Sequence, residues 1–167
     1  MKELPNILKV LYDAHVEFVV IGGAAMVLQG SAHVTNDVDF CYSRTPENIK
    51  RLAAAIGPYH PQLRGVPKGL PFRFDPRTIS QGMNFTLETD LGDLDFLGEV
   101  TGLGSYEGVK ASSDVLTIDA MQIHVLSYAG LIKSKKAAGR PKDLYVLPEL
   151  EALEELKRLT DEEEPLP

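Results

Sequence analysis

Apolar positions recur along the chain in two rhythms, and these divide it into elements. Leu4, Ile7, Leu8, Leu11 and Tyr12 fall at helical spacing, so residues 2–14 read as an amphipathic helix. A sheet begins at Val16, and Phe18-Val19-Val20-Ile21 is an unbroken, β-branched-rich run of one buried strand's length. Gly22-Gly23 ends that run, Ala24 to Leu28 is good helix material, and Gly30 supplies a stop. A polar loop, Ser31 to Asn36, leads to a second strand, Asp37-Val38-Asp39-Phe40-Cys41-Tyr42. Thr45-Pro46-Glu47 then starts a helix with a capping hydroxyl, a first-turn proline and an acid; it runs to Ile56 and stops at Gly57-Pro58.

The second half is less regular. Tyr59 to Ser80 reads as a loop carrying four prolines, with Arg64, Lys68, Arg73 and Arg77 scattered through it. A loop that long either lies over a substrate or is an ordered surface connection. Asn84 to Thr89 alternates, Asp90-Leu91-Gly92-Asp93 has turn chemistry, and Leu94-Asp95-Phe96-Leu97 returns, which predicts a hairpin with Asp93 as a turn residue. The glycine-rich stretch 102–110 reads as a connection. Two short strands follow near 115–118 and 122–126, with His124 structural. Ser127 caps a helix to about Ala138 whose inward face is set by Leu131 and Ile132, and Lys135 shares that face. A last helical stretch, interrupted or restarted at Pro148, presents Leu150, Leu153, Leu156 and Leu159.

This arrangement suggests a core domain over 1–126, a helical segment over 127–159 packed on it, and an acidic, frayed tail over 160–167. At 167 residues and 44% hydrophobic, the chain has apolar material for one core. The net charge of −7 is unevenly spread. Residues 149–167 hold eight acids and two bases, whereas residues 133–142 hold five bases and no acid. The body is therefore close to neutral, with a modest basic patch that suits a limited nucleic-acid contact rather than a long groove. Cys41 is the single cysteine and no apolar run reaches membrane-span length. With no leader pattern at the start, these features predict a reduced, cytoplasmic protein with no membrane partner.

Two features carry chemistry. A glycine pair at a strand-to-helix turn lets a ligand approach the backbone, and the new helix points free N–H groups at it, which outlines a phosphate site at Gly22 and Gly23. Asp37 and Asp39 are two apart on a strand, so their carboxylates leave the same face and repel each other unless a cation compensates. Hard oxygen ligands of this kind suit magnesium.

The order Ile21-Gly22-Gly23-Ala24, a short helix, then Asp37-Val38-Asp39-Phe40 resembles the signature of the polymerase-beta-like nucleotidyltransferase superfamily. Ala24 stands where that signature has a hydroxyl residue. The segment from Leu131 to Leu144, with Lys135, Arg140 and Asp143, is similar to one in small bacterial nucleotidyltransferases, including toxin-like enzymes of abortive-infection systems. The resemblance implies an α/β (α+β) fold: a mixed, mainly antiparallel sheet flanked by helices, with C-terminal helices. It implies catalytic and metal-binding roles for Asp37, Asp39 and Asp95, and nucleotide contacts from Gly22, Gly23, Lys135 and Arg140. The cofactor would be Mg²⁺, with Mn²⁺ as substitute, and the reaction transfer of an NMP from an NTP to an acceptor hydroxyl on RNA, a protein or a small molecule. A homodimer or cognate partner protein would supply acceptor recognition that so small a chain lacks. Two rival readings stand beside it. One is an inactive nucleotide-binding homologue or toxin–antitoxin-type partner, which Ala24 favours. The other is a metal-free scaffold whose acids cap turns. Arg140 and Asp143 are also placed to pair simply with each other.

Overall fold

In the computed structural model, which describes residues 3–163, the apolar rhythms become seven α-helices, one 3-10 turn (Gly57–Tyr59) and nine strands among the described residues. Helix α1 (Leu4–Asp13) buries Leu4, Ile7, Leu8 and Leu11. Strand β1 (Phe18–Ile21) is buried at every position and runs directly into α2 (Gly22–Leu28). Strand β2 (Asp37–Tyr42) alternates half-buried acids with buried Val38 and Phe40. Thr45 caps α3 (Pro46–Ile56) by accepting from the Asn48 N–H. The hairpin β4 (Asn84–Thr89) and β5 (Gly92–Leu97) turns through Asp90-Leu91. Strands β8 (Ser113–Ile118) and β9 (Met121–Leu126) form a second hairpin, and Ser127 caps α6 (Tyr128–Ala138).

Three stretches differ from their sequence reading. The proline-rich segment contains a two-residue edge strand, β3 (Gln62–Leu63), and a short helix, α4 (Pro76–Gln81), capped by Asp75. Neither is long enough to impose a periodicity. The glycine-rich connection folds into a small ribbon, β6 (Glu99–Val100) with β7 (Gly104–Ser105), followed by α5 (Tyr106–Ala111). The final helix, α7 (Pro141–Glu163), is continuous through Pro148. Pro148 is exposed, so the carbonyl it leaves without an N–H partner lies toward the hydrated side. The packed face of α7 is Val146, Leu150 and Leu153, with Lys157 reaching Asp114 at 2.8 Å; Leu156 and Leu159 are turned away and exposed. The first residue of the expected opening helix and the end of the expected tail, residues 164–167, lie outside the described residues.

The sheet order is β3-β4-β5-β2-β1-β9-β8. β2 with β5 and β1 with β9 are parallel, and the other neighbours are antiparallel. This is the expected mixed, mainly antiparallel sheet flanked by helices, with helices at the C-terminal end. One sheet face is apolar: Phe40 stacks on Phe96 at 5.3 Å between centroids, and Phe74, just before α4, packs on Phe96 and Phe85. Cys41 is fully buried, and burial pushes its thiol up to about 12, which keeps it unreactive. No described helix is long and apolar enough to cross a membrane.

Asn48 ties α3 to the sheet. It is fully buried, accepts from the Glu17 N–H at 2.7 Å, and donates to the carbonyls of Glu17 at 3.0 Å and Ser43 at 2.7 Å. Replacing it leaves those backbone groups unmet in a dry site. Asn48→Ala is expected to lower the unfolding free energy by about 2–4 kcal/mol, read from the shift in urea midpoint at unchanged slope.

Candidate active site

The polar face of the sheet is set by strand parity. Over residues 37–40 of β2 and 93–96 of β5 the even residues are buried in the core and the odd ones are half-buried on the other face, so Asp37, Asp39, Asp93 and Asp95 all emerge together. The parallel register then places Asp37 beside Asp93 and Asp39 beside Asp95. Oxygens of Asp37, Asp39 and Asp95 lie within 4.8 Å of one another. The three acids line one cleft of about 760 Å³ together with Gly22, Gly23, Lys135 and Arg140. All the site residues expected from the sequence therefore meet in one place.

Gly22 is required by the close approach of β1's end to β2. Its φ is +60°, and a Cβ there would stand 2.3 Å from Asp39 Oδ2. Gly23 is constrained too, since a Cβ would meet the Thr35 side chain at 2.9 Å. The glycine pair thus makes room for the aspartate and for the loop before β2. Thr35 holds Asp37 in turn: its Oγ1 lies 2.9 Å from Asp37 Oδ1, placed to donate.

The acids are mutually unfavourable. Burial, then the charges of Asp37 and Asp95, push the Asp39 carboxyl up to about 7. Asp95 is also raised, chiefly by burial, with Arg64 opposing the shift. The closeness of Asp39 to Asp95 adds to the rise at Asp39, and the two carboxyls titrate as neighbours rather than independently.

Arg64 was one of four scattered bases in the sequence, and the structure singles it out. It follows β3 on the edge of the sheet, and its chain crosses β4 and β5. Nη2 donates to Asp95 Oδ1 at 2.8 Å and lies 3.7 Å from Asp37 Oδ2. Nη1 sits 3.3 Å from Asp93 Oδ2 but makes no hydrogen bond although buried. Asp93 is therefore a strand residue facing the site and not a turn residue. The turn closes one residue earlier because Gly92, at φ +105°, begins the return strand.

Across the cleft, Lys135 points inward at 18% exposure, with Nζ 3.6 Å from Asp143 Oδ1. Arg140 grips the same carboxylate with Nε at 2.5 Å and Nη2 at 3.1 Å. Burial opposes ionisation of Asp143, but the Arg140 hydrogen bond and charge and the Lys135 charge outweigh it and hold the carboxyl below its usual range. The expected pairing of Arg140 with Asp143 is present, and Lys135 and Arg140 both line the cleft. His124 lies 3.0 Å from Ser113 Oγ, in keeping with a structural role.

The carboxylates fit a divalent cation on the chemistry of the donors. Three hard oxygens converge, a guanidinium already stands among them as a cation, and the missing Gly22 side chain leaves Asp39 its place.

No family model matches the sequence, and no curated protein matches it. Among solved structures, a Thermotoga maritima protein provisionally assigned as a nucleotidyltransferase is similar over 96% of this chain and 94% of its own, at 16% identity and a TM-score of 0.49. A likeness of that size carries no weight for the site, which rests on its own geometry.

Two outcomes are expected. Gly22→Ala, forced into a left-handed conformation against Asp39, loses about 1–3 kcal/mol of stability in urea unfolding. For Asp39 the folded carboxyl is pushed up to about 7, whereas the unfolded one releases its proton near the ordinary 3.8. Its contribution to stability is therefore present below about pH 4 and is lost as pH rises through about 7. In EDTA, the melting temperature of Asp39→Asn relative to wild type should climb between about pH 4 and pH 7 and level off above, and a flat difference would contradict the shift.

Proposed function

We propose that the protein is a metal-dependent nucleotidyltransferase of the polymerase-beta-like superfamily, moving an NMP from an NTP to an acceptor hydroxyl. The observation that carries this reading is the convergence of Asp37, Asp39 and Asp95 within 4.8 Å, in a cleft that also holds Gly22-Gly23 and Lys135. Three half-buried carboxylates on one sheet face cost stability unless a cation or ligand uses them. The element order supports it as well: strand, glycine pair, helix, acid strand, hairpin with a third acid, basic helix.

Asp37, Asp39 and Asp95 would hold Mg²⁺ or Mn²⁺. A divalent ion bound there supplies charge stabilisation to the triphosphate oxygens and the leaving group. Gly22 and Gly23 let phosphate oxygens approach the backbone, and Lys135 faces the same space with its ammonium only loosely matched to Asp143. Arg140 adds positive charge at the rim. The acceptor oxygen attacks the α-phosphorus, a P–O bond forms, and the bond to the β-phosphate bridge breaks. The hydroxyl proton passes to Asp95 or to water, and pyrophosphate leaves.

The acceptor class within this reading is an RNA end, a protein hydroxyl or a small molecule. The similarity of residues 131–144 to toxin-like enzymes supports the first two. A second copy of the chain or a cognate partner would supply acceptor recognition. One observation favours a second reading, a nucleotide-binding homologue without activity: Ala24 is fully buried where the superfamily has a hydroxyl, so that phosphate contact is absent.

Isothermal titration of each NTP with magnesium tests the site. Wild type is expected to bind in a metal-dependent manner, and Asp37→Ala/Asp39→Ala to lose that binding by more than about a hundredfold. Absence of binding by folded wild type with every NTP would sink both readings. Binding without pyrophosphate release in the presence of RNA, protein and small-molecule acceptor pools would select the second.

A further inference from the structure

Arg64 reaches from the sheet edge into the cluster of acids. Four carboxylates face it, from Asp37, Asp39, Asp93 and Asp95, and among the described residues it is the only cation whose atoms lie within ion-pair distance of three of them. A guanidinium in that position neutralises charge that otherwise raises the energy of the empty site. Its fit is poor, however. Of five N–H donors, Arg64 commits one at good length to Asp95, while the buried Nη1 has no hydrogen bond at all. A well-built structural arginine is satisfied in a bidentate fork, as Arg140 is on Asp143. Arg64 is thus held by charge, not by hydrogen-bond geometry.

Its position is also exclusive. Nη2 is 2.8 Å from Asp95 Oδ1 and 3.7 Å from Asp37 Oδ2, and those two carboxylates are ligands in the proposed metal site. Two cations sharing the same oxygens repel at short range, in surroundings that screen them little. The segment that carries Arg64 permits withdrawal. β3 is a two-residue edge strand, and the backbone of Arg64 is tied only through its N–H to the Thr86 carbonyl at 2.9 Å. Gly65 follows at φ +78° with open space around it. A second cleft of about 620 Å³, lined by Leu63, Gly65, Lys68 and Glu88, flanks the same segment, so the chain on either side of Arg64 is not packed solid.

We propose that Arg64 is the site's own counter-cation: its guanidinium holds the carboxylates together in the metal-free protein and competes with the divalent ion for Asp37 and Asp95. Metal loading and the Arg64–Asp95 pair exclude each other, so Arg64 sets the metal concentration at which the site fills. The released guanidinium stays beside the cleft, where a triphosphate brings new negative charge. This inference rests on the metal-site reading above, and its test separates the two.

Manganese alone, without nucleotide, is titrated into wild type, Arg64→Met, Arg64→Gln and Asp37→Ala/Asp39→Ala, followed by calorimetry and by the electron-spin signal of free Mn²⁺. Wild type is expected to bind, and the double alanine variant not to. Arg64→Met and Arg64→Gln should bind manganese tighter than wild type by on the order of tenfold or more. Their metal-free melting temperatures should fall below wild type, and saturating manganese should raise them by more than it raises wild type. Two neutral replacements are used so that one poorly folding variant leaves the other to decide. Equal or weaker manganese binding by the folded Arg64 variants, with wild type still binding, would overturn the competition and leave the metal site standing. No manganese binding by wild type or by either Arg64 variant would overturn both.

Discussion

The parallel pairing of β2 with β5 is the constraint on which the site depends. It sets two Asp-x-Asp pairs side by side, so four carboxylates leave one sheet face within two rungs of the ladder. Everything near that face answers the resulting charge. Gly22 gives up its side chain to make room for Asp39, Thr35 fixes Asp37, burial and its acidic neighbours raise the Asp39 carboxyl, and Arg64 reaches across from the sheet edge. The opposite face supplies the means to hold so strained an arrangement. Val38, Phe40, Leu94 and Phe96 alternate with the acids and are almost fully buried, and the Phe40–Phe96 stack locks the register that brings the aspartates together. A one-residue slip would bury the acids and expose the aromatics, so core packing and site geometry are fixed by the same pattern.

How much of this was legible in the sequence follows from the range over which each signal acts. The strand into Gly22-Gly23, the Asp37–Tyr42 strand, the Asn84–Leu97 hairpin and the Ser127 cap are local patterns of period, turn and capping, and all appear as read. Lys135 was legible because helical spacing to Leu131 and Ile132 fixes its face. Arg64 was not. It lies among four bases in a proline-rich stretch whose edge strand is only two residues long, and its significance comes from a reach across two strands that no local pattern encodes. Asp93 was misplaced by a single residue of turn length, which is the ordinary precision of a hairpin boundary. Thr35 carried no signal beyond lying in a polar loop; its task follows from the return of that loop against Gly23.

The two walls of the cleft are charged in opposite senses, and that asymmetry bears on the function proposed above. The sheet wall is acidic and undercompensated, with one guanidinium among four carboxylates. The helix wall is basic, with Lys135 and Arg140 sharing the single buried carboxylate of Asp143. A cation alone satisfies only the first wall and an anion alone only the second. The metal–triphosphate of the proposed function would satisfy both, cation toward Asp37, Asp39 and Asp95 and anion toward Lys135. The same asymmetry explains why Asp143 is worth burying at 2% exposure. It holds Lys135 and Arg140 at the cleft while leaving the helix wall a net positive charge, since two cations share one acid. An Asp143 replaced by a neutral residue would free both side chains to cross the cleft toward the aspartates, closing the space that a nucleotide needs.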